Sequence, residues 1–190
     1  MTSRLRLSIA ALFSSVLVVA LFAFGSAIAR AEATPDPEIV KRFEFLSQNG
    51  NSSCSRAFRD SILDMPVDAR LQGSCCMAMD LHRYSEQIEG LKQYAHITDV
   101  PPDPYDVAAP LARKLLLAYE KPLGPEEQKH YDFAMENSNE KGPCCCQCWR
   151  WEVFGGLGKL LIREHGFTGE QVTQVWNLSD GCGGEAHLHN

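Results

Sequence analysis

The sequence predicts an all-α domain of about six helices with a cysteine-rich loop, behind an N-terminal hydrophobic segment. Apolar residues repeat at helical spacing in one stretch: Ala108, Leu111, Leu115, Ala118 and Tyr119. The segment Thr168-Gly169-Glu170-Gln171 has the capping-box pattern that begins a helix. No segment combines sustained polar–apolar alternation with β-branched residues, so we expect no strands.

The first half of the domain is expected to contain three helices. The first covers residues 38–48, because the turn residues 49–51 follow it, and the second covers 55–63, before Pro66. A longer helix is predicted from Asp68 to about Tyr94. The proline-rich residues 100–104 then form an extended connector.

The second half is expected to contain the remaining helices. The helix that starts near residue 108 ends at Pro122 and Gly124, and Pro125 begins the next one at a first-turn position. The stretch 151–165 is predicted to be helical, with Gly166 as its C-terminal stop. The last helix follows Thr168.

The N-terminal segment has the features of an export signal. Arg4 and Arg6 precede an uncharged, mostly apolar run over residues 7–29, and Ala-x-Ala cleavage patterns end it. The run is longer than the roughly 7–15 residues of a typical signal core and close to the roughly 20 that span a bilayer. A cleaved signal and a retained anchor therefore both stay open for residues 1–31. In either case, residues 32–190 are expected outside the cytoplasm, in the periplasm, at the cell surface or secreted.

The charge distribution limits the classes of partner. The chain of 190 residues has a formal net charge of −6, and its leader contains three arginines but no acidic residue. The exported part is therefore more acidic still, without a cluster of lysine or arginine. This argues against nucleic acid and anionic lipid as ligands and leaves a metal ion, or a membrane-bound partner, as expected partners.

Eight cysteines are the main chemical feature of the chain. They fall into four places: Cys54; Cys75 and Cys76; Cys144, Cys145, Cys146 and Cys148; and Cys182. An even number of cysteines in an exported protein is typical of disulfides. However, four thiols within five positions cannot easily pair with one another, because bridges between adjacent residues strain the chain. The clustering therefore favours a metal site.

The loop at 144–148 is the predicted centre of that site. Cys144, Cys146 and Cys148 alternate, so their sulfurs share one side of an extended segment, while Cys145 faces the other. Several soft thiolates around one ion suit Cu(I) or Zn(II). Cys182 lies in a glycine-rich segment and is expected to add a further ligand.

A second group of candidate ligands begins at Cys75. If this stretch is helical, Cys75, Met79 and His82 share one face at i, i+4 and i+7, with Cys76 next to them. The alternative is that the methionines fill the core, the two cysteines form disulfides and His82 lies on the surface. Cys54 is isolated and is expected to be a structural bridge partner or a free thiol.

The cysteine loop resembles the bacterial exported proteins named for a Pro-Cys-Tyr-Cys-Gly-Cys motif. Pro143-Cys144, Cys146 and Cys148 match that motif, whereas Cys145 stands in place of the tyrosine and Gln147 in place of the glycine. The resemblance implies a bacterial, extracytoplasmic protein with a cysteine-centred site and names no reaction. Trp149 and Trp151, which follow, are expected to cover this loop.

Three functions are consistent with the sequence. The first is an exported soft-metal-binding protein for metal handling or storage, with copper before zinc and without catalytic residues or an organic cofactor. The second is a thiol–disulfide oxidoreductase that acts through Cys145 and Cys148, although the βαβ context of thioredoxin-like enzymes is missing. The third is a disulfide-stapled structural or partner-binding domain without metal.

Overall fold

A computed structural model describes residues 36–182, and these residues form a mostly helical domain with one small antiparallel sheet. The elements are α1 (Pro37–Gln48), α2 (Arg56–Ser61), β1 (Arg70–Gln72), α3 (Leu81–Leu91), β2 (Asp106–Ala108), α4 (Ala109–Tyr119), α5 (Pro125–Asn137), α6 (Trp149–His165) and α7 (Gly169–Ser179). The predicted leader over 1–31 lies outside the described residues. Among the residues described, no helix has the length and apolar character needed to cross a bilayer.

Helix α6 forms the centre of the core. Its residues Val153, Phe154, Leu157 and Leu161 are inaccessible to solvent, and it packs closely along α4 at Gly156. A Cβ added at Gly156 would lie 1.9 Å from the carbonyl oxygen of Leu115. The absence of a side chain at this position therefore allows the two helices to approach each other.

We expect the Gly156→Ala substitution to destabilise the domain by about 1–3 kcal/mol, because α4 and α6 must separate to admit the methyl group. Chemical denaturation followed by circular dichroism measures this change. Gly124→Ala is a matched control, since its added methyl would meet only the Glu127 carboxylate, at 3.6 Å. Equal unfolding midpoints for the two variants would contradict the close approach.

The predicted helix over 68–94 is wrong in its first half. Strand β1 pairs with β2 instead, with Leu71 opposite Val107, and both side chains are buried. Gly73 ends the strand at a φ of +77°, where an added Cβ would lie 2.6 Å from the Cα of Gly50. Asp80 then caps α3 by accepting a hydrogen bond from the Arg83 backbone N–H. Residues 73–80 are thus a loop.

The strands also correct the expectation of a domain without any. Their partners are 36 or so positions apart in the chain, and each strand has only three residues, so alternation cannot be recognised locally. The helices with strong local signals are confirmed. Gly166 adopts a φ of +66° after α6, and Thr168 and Gln171 form the reciprocal capping box of α7.

Candidate metal centre

Four segments of the chain bring all eight cysteines to one place. Cys54 precedes α2, Cys75 and Cys76 lie in the loop after β1, the 144–148 loop leads into α6, and Cys182 follows α7. All eight are free thiols. The site is therefore assembled by the tertiary fold and not by the 144–148 loop alone.

The more exposed side of the cluster contains a triangle of sulfurs. The Sγ atom of Cys54 lies 3.1 Å from that of Cys76 and 3.6 Å from that of Cys146. The sulfurs of Cys76 and Cys146 are 3.4 Å apart. Three segments that are distant in sequence thus contribute one thiol each.

The buried side joins this triangle through Cys75. Its Sγ atom lies 3.6 Å from that of Cys76 and 3.9 Å from that of Cys148. Cys144 and Cys182 form a further close pair, with 3.0 Å between their sulfurs. Cys144, Cys148 and Cys182 are all buried, so half-exposed thiols lead inward to shielded ones.

Several sets of these thiols are close enough to share a metal ion. Within each of three sets, all sulfurs lie within 4.8 Å of one another: Cys54, Cys75, Cys76 and Cys146; Cys76, Cys145, Cys146 and Cys182; and Cys144, Cys146 and Cys148. A fourth set joins Cys144 and Cys182 to the Asp180 carboxylate. Cys146 belongs to all three sets that consist of cysteine alone.

Backbone hydrogen bonds fix the position of the Cys182 segment against the Cys75 loop. The Met77 N–H donates to the carbonyl of Cys182 at 2.9 Å. The Asp180 carboxylate accepts from the Cys182 N–H at 3.1 Å, and the Asp180 carbonyl accepts from the buried Gln87 side chain at 2.5 Å. Helix α3 therefore holds the end of the described chain against the thiols.

The 144–148 loop is held by contacts at both of its ends. At the start, the Ser138 hydroxyl accepts a hydrogen bond from the Gly142 N–H at 2.8 Å, and the Trp151 ring occupies the space where a Gly142 side chain would lie. At the end, the Cys148 N–H donates to the Cys146 carbonyl at 2.8 Å. Trp151 thus covers the beginning of the loop, whereas Trp149 is fully buried in the core.

A buried arginine supplies positive charge next to the thiols. Arg150 is inaccessible to solvent and donates hydrogen bonds to the carbonyls of Pro104, at 2.5 Å, and Gly73, at 2.7 Å. Its guanidinium lies 4.6 Å from the centre of the Trp149 ring and so close to Gly181 that an added Cβ there would clash. Among the described residues, its Nε atom has no hydrogen-bond partner.

Helix α6 adds a second positive potential, because Cys148 is its N-cap residue. The free backbone N–H groups at a helix N-terminus favour negative charge. The 144–148 loop therefore leads into a region that is suited to anionic sulfur ligands.

The thiols influence one another's protonation. Hydrogen bonds from the thiols of Cys144 and then Cys148 hold the pKa of Cys75 below its usual range. Hydrogen bonds to neighbouring sulfurs raise the pKa of Cys144, and the bond to Cys148 has the largest effect. Burial raises the pKa of Cys145 and Cys146. Without metal, these shifts favour negative charge on Cys75 over Cys144, Cys145 and Cys146.

The structure brings together most of the residues that the sequence nominates as ligands, and these are Cys75, Cys76, Cys144, Cys145, Cys146, Cys148 and Cys182. His82 is not among the sets of close donors; its side chain is 76% exposed and lies 3.3 Å from the Glu86 carboxylate. Met79 packs against a separate small apolar cluster formed by Leu46, Tyr84 and Tyr105. The expected common helix face does not exist, because α3 begins only at Leu81.

Cys54, which the sequence does not nominate as a ligand, lies in one of the sets of close thiols. Asn51 holds this segment beside β1, since its side chain accepts from the Gln72 N–H at 2.8 Å and donates to the Arg70 carbonyl at 2.9 Å. This pairing places Cys54 next to the loop that follows β1. The signal in the sequence is Asn51, a residue whose side chain commonly bonds to backbone groups, three positions before the cysteine.

A cleft opens beside the exposed side of the cluster. Its volume is about 420 Å³, and both Cys54 and Cys148 line it together with Arg56, Arg59 and Glu152. Arg59 is held by Glu152, with its Nη2 atom 2.6 Å from the carboxylate. The cleft gives solvent and small solutes a path to the thiols.

Comparison of the chain with protein-family models, with curated proteins and with solved structures found no match. The function must therefore be argued from the site.

Proposed function

We propose that this protein is an exported soft-metal-binding protein, with Cu(I) as the first expected ion and Zn(II) as the second, involved in metal handling or storage. The observation that carries the proposal is the convergence of eight free cysteines from four separate segments. Thiolates are soft ligands, and thiophilic ions bind them in preference to water and carboxylate. The predicted leader over residues 1–31 supports the extracytoplasmic location, which is part of the same proposal.

The thiol arrangement supports metal binding more than a set of disulfide staples. Neighbouring sulfurs lie 3.0–3.9 Å apart. All these separations are longer than the about 2.05 Å of a disulfide bond, and the longer ones match the spacing of thiolates around a shared ion. Cys76 has three sulfur neighbours, those of Cys54, Cys75 and Cys146. A thiol with three close sulfur neighbours does not define one disulfide partner.

A thiol–disulfide oxidoreductase has less support. The two cysteines of the Cys-x-x-Cys spacing, Cys145 and Cys148, differ in surroundings, since Cys148 is buried and lies near Cys75. A disulfide between them would exchange readily with the six other thiols, because such exchange needs only a nearby thiolate. The described residues contain no βαβ unit to support such a motif.

Metal content of the purified exported domain tests the proposal. We expect fully reduced, anaerobic wild-type protein to take up Cu(I), and Cys146→Ser to lose more than half of that capacity, because serine keeps the size but removes the soft donor. His82→Gln is the matched control: it removes a potential ligand that lies apart from the thiols and should bind as wild type does. If reduced wild type takes up neither Cu(I) nor Zn(II), the proposal is wrong.

A further inference from the structure

We propose that the eight thiols hold more than one Cu(I) ion in a single thiolate-bridged cluster, in which Cys146 is the ligand common to the metal positions. The inference rests on the proposed soft-metal function and adds to it the number of ions and the residue that joins them. It also identifies Cys54 as part of the site.

The overlap between the sets of thiols is the first argument. The eight sulfurs do not all lie within 4.8 Å of one another, so a single ion cannot contact them all. The three all-cysteine sets are not independent either, because each pair of sets shares at least Cys146, and two of them also share Cys76. Ions that use all the sulfurs of two such sets share a sulfur, and a shared thiolate is a bridging ligand.

The sulfur separations are the second argument. Four sulfurs at about 2.3 Å from one ion in a tetrahedron lie about 3.8 Å from each other. The separations along the chain of contacts Cys54–Cys76–Cys75–Cys148 are 3.1, 3.6 and 3.9 Å. These contacts continue through the cluster from the exposed to the buried side, and the two longer separations, both of which involve Cys75, match the ligand spacing.

The size of the sets favours Cu(I) over Zn(II). Structural zinc sites are almost always four-coordinate, so each zinc ion requires four donors. The set formed by Cys144, Cys146 and Cys148 offers only three, and it draws on a sulfur that the other sets also need. Cu(I) accepts two or three thiolates and therefore suits a network with fewer sulfurs than separate tetrahedra would require.

The surroundings of the inner thiols suit a compact anionic cluster. Cys144 and Cys182 are buried, which excludes water from that side and shields bound Cu(I) from oxidant. The Arg150 guanidinium lies against Gly181, the residue before Cys182, and Cys148 is the N-cap residue of α6. Fixed positive charge beside the sulfurs offsets the negative charge that remains when monovalent ions are shared among many thiolates.

Native mass spectrometry during an anaerobic Cu(I) titration tests the number of ions. We expect wild-type protein to bind more than one Cu(I) per chain. Because bridging ligands make the ions bind cooperatively, the fully loaded form should appear while metal-free protein is still present. X-ray absorption of the loaded protein should show copper–copper scattering. Binding of a single ion, or several ions without copper–copper scattering, would overturn the cluster and leave the proposed metal-binding function standing. No binding at all would overturn both.

Two serine variants test the bridging residue. Each removes one thiol, but Cys146 belongs to three all-cysteine sets and Cys54 to only one. We expect Cys54→Ser to keep more than one Cu(I) and its copper–copper scattering, and Cys146→Ser to bind at most one ion without that scattering. Equal losses in the two variants would refute the bridging role. Circular dichroism verifies that both are folded, and the wild-type stoichiometry decides the cluster if either is not.

Discussion

Replacing Arg150 by methionine is expected to destabilise the domain by about 2–5 kcal/mol. Methionine fills a similar volume but cannot donate to the carbonyls of Pro104 and Gly73, which would remain buried without these partners. The contact of the guanidinium with the Trp149 ring would also be lost. Denaturant unfolding of the metal-free, reduced protein measures the change directly.

The same substitution separates structural support from support of the metal site. In conditions where Arg150→Met stays folded, we expect weaker Cu(I) binding, because a positive charge next to the Cys182 segment is removed. Arg113→Met is the matched control, since Arg113 also donates to two carbonyls, those of Leu63 and Met65, but is partly exposed. An unfolding midpoint for Arg150→Met that equals that of the control would contradict the role assigned to the buried guanidinium.

The elements that could be predicted from the sequence are those with local signals. The α7 capping box at Thr168 and the stop of α6 at Gly166 each depend on a few adjacent residues. Strands β1 and β2 depend instead on pairing between distant residues such as Leu71 and Val107. No local sequence pattern indicates this pairing. The apolar stripe that predicts a helix over 68–94, formed by Leu81, Ile88 and Leu91, lies entirely within α3 and carries no information on residues 68–80.

In the candidate site, too, the features with a local sequence signal are predictable and those that depend on long-range contacts are not. The close spacing of Cys144, Cys146 and Cys148 predicts convergence of sulfurs whatever the fold, and these thiols do converge. Placing His82 with Cys75 required the intervening residues to be helical, and they form a loop. The position of Cys54 depends on the hydrogen bonds between Asn51 and β1. These bonds form only in the folded domain, so the sequence does not predict where Cys54 lies. Long-range contacts thus determine where both side chains lie.

The affinity for Cu(I) is expected to fall steeply on acidification. Burial raises the pKa of Cys145 and Cys146, and hydrogen bonds to neighbouring sulfurs raise that of Cys144, so these thiols are protonated in the metal-free protein at neutral pH. A thiol must lose its proton to bind metal, so protons compete with the ion. With two protons displaced per ion, the apparent affinity falls about 100-fold for each pH unit.

The sign and the pH range of this effect follow from the direction of the pKa shifts. Because these thiols titrate above the ordinary value for cysteine, affinity should keep rising with pH through the neutral range and should not level off near pH 7. Competition with a Cu(I) chelator of known proton affinity, at pH 6 and pH 8, measures the slope, and proton release into weak buffer gives the number of protons independently. Cys145→Ser removes one raised-pKa thiol and should release fewer protons per chain than wild type. Copper binding that releases no protons would exclude these thiols as the ligands.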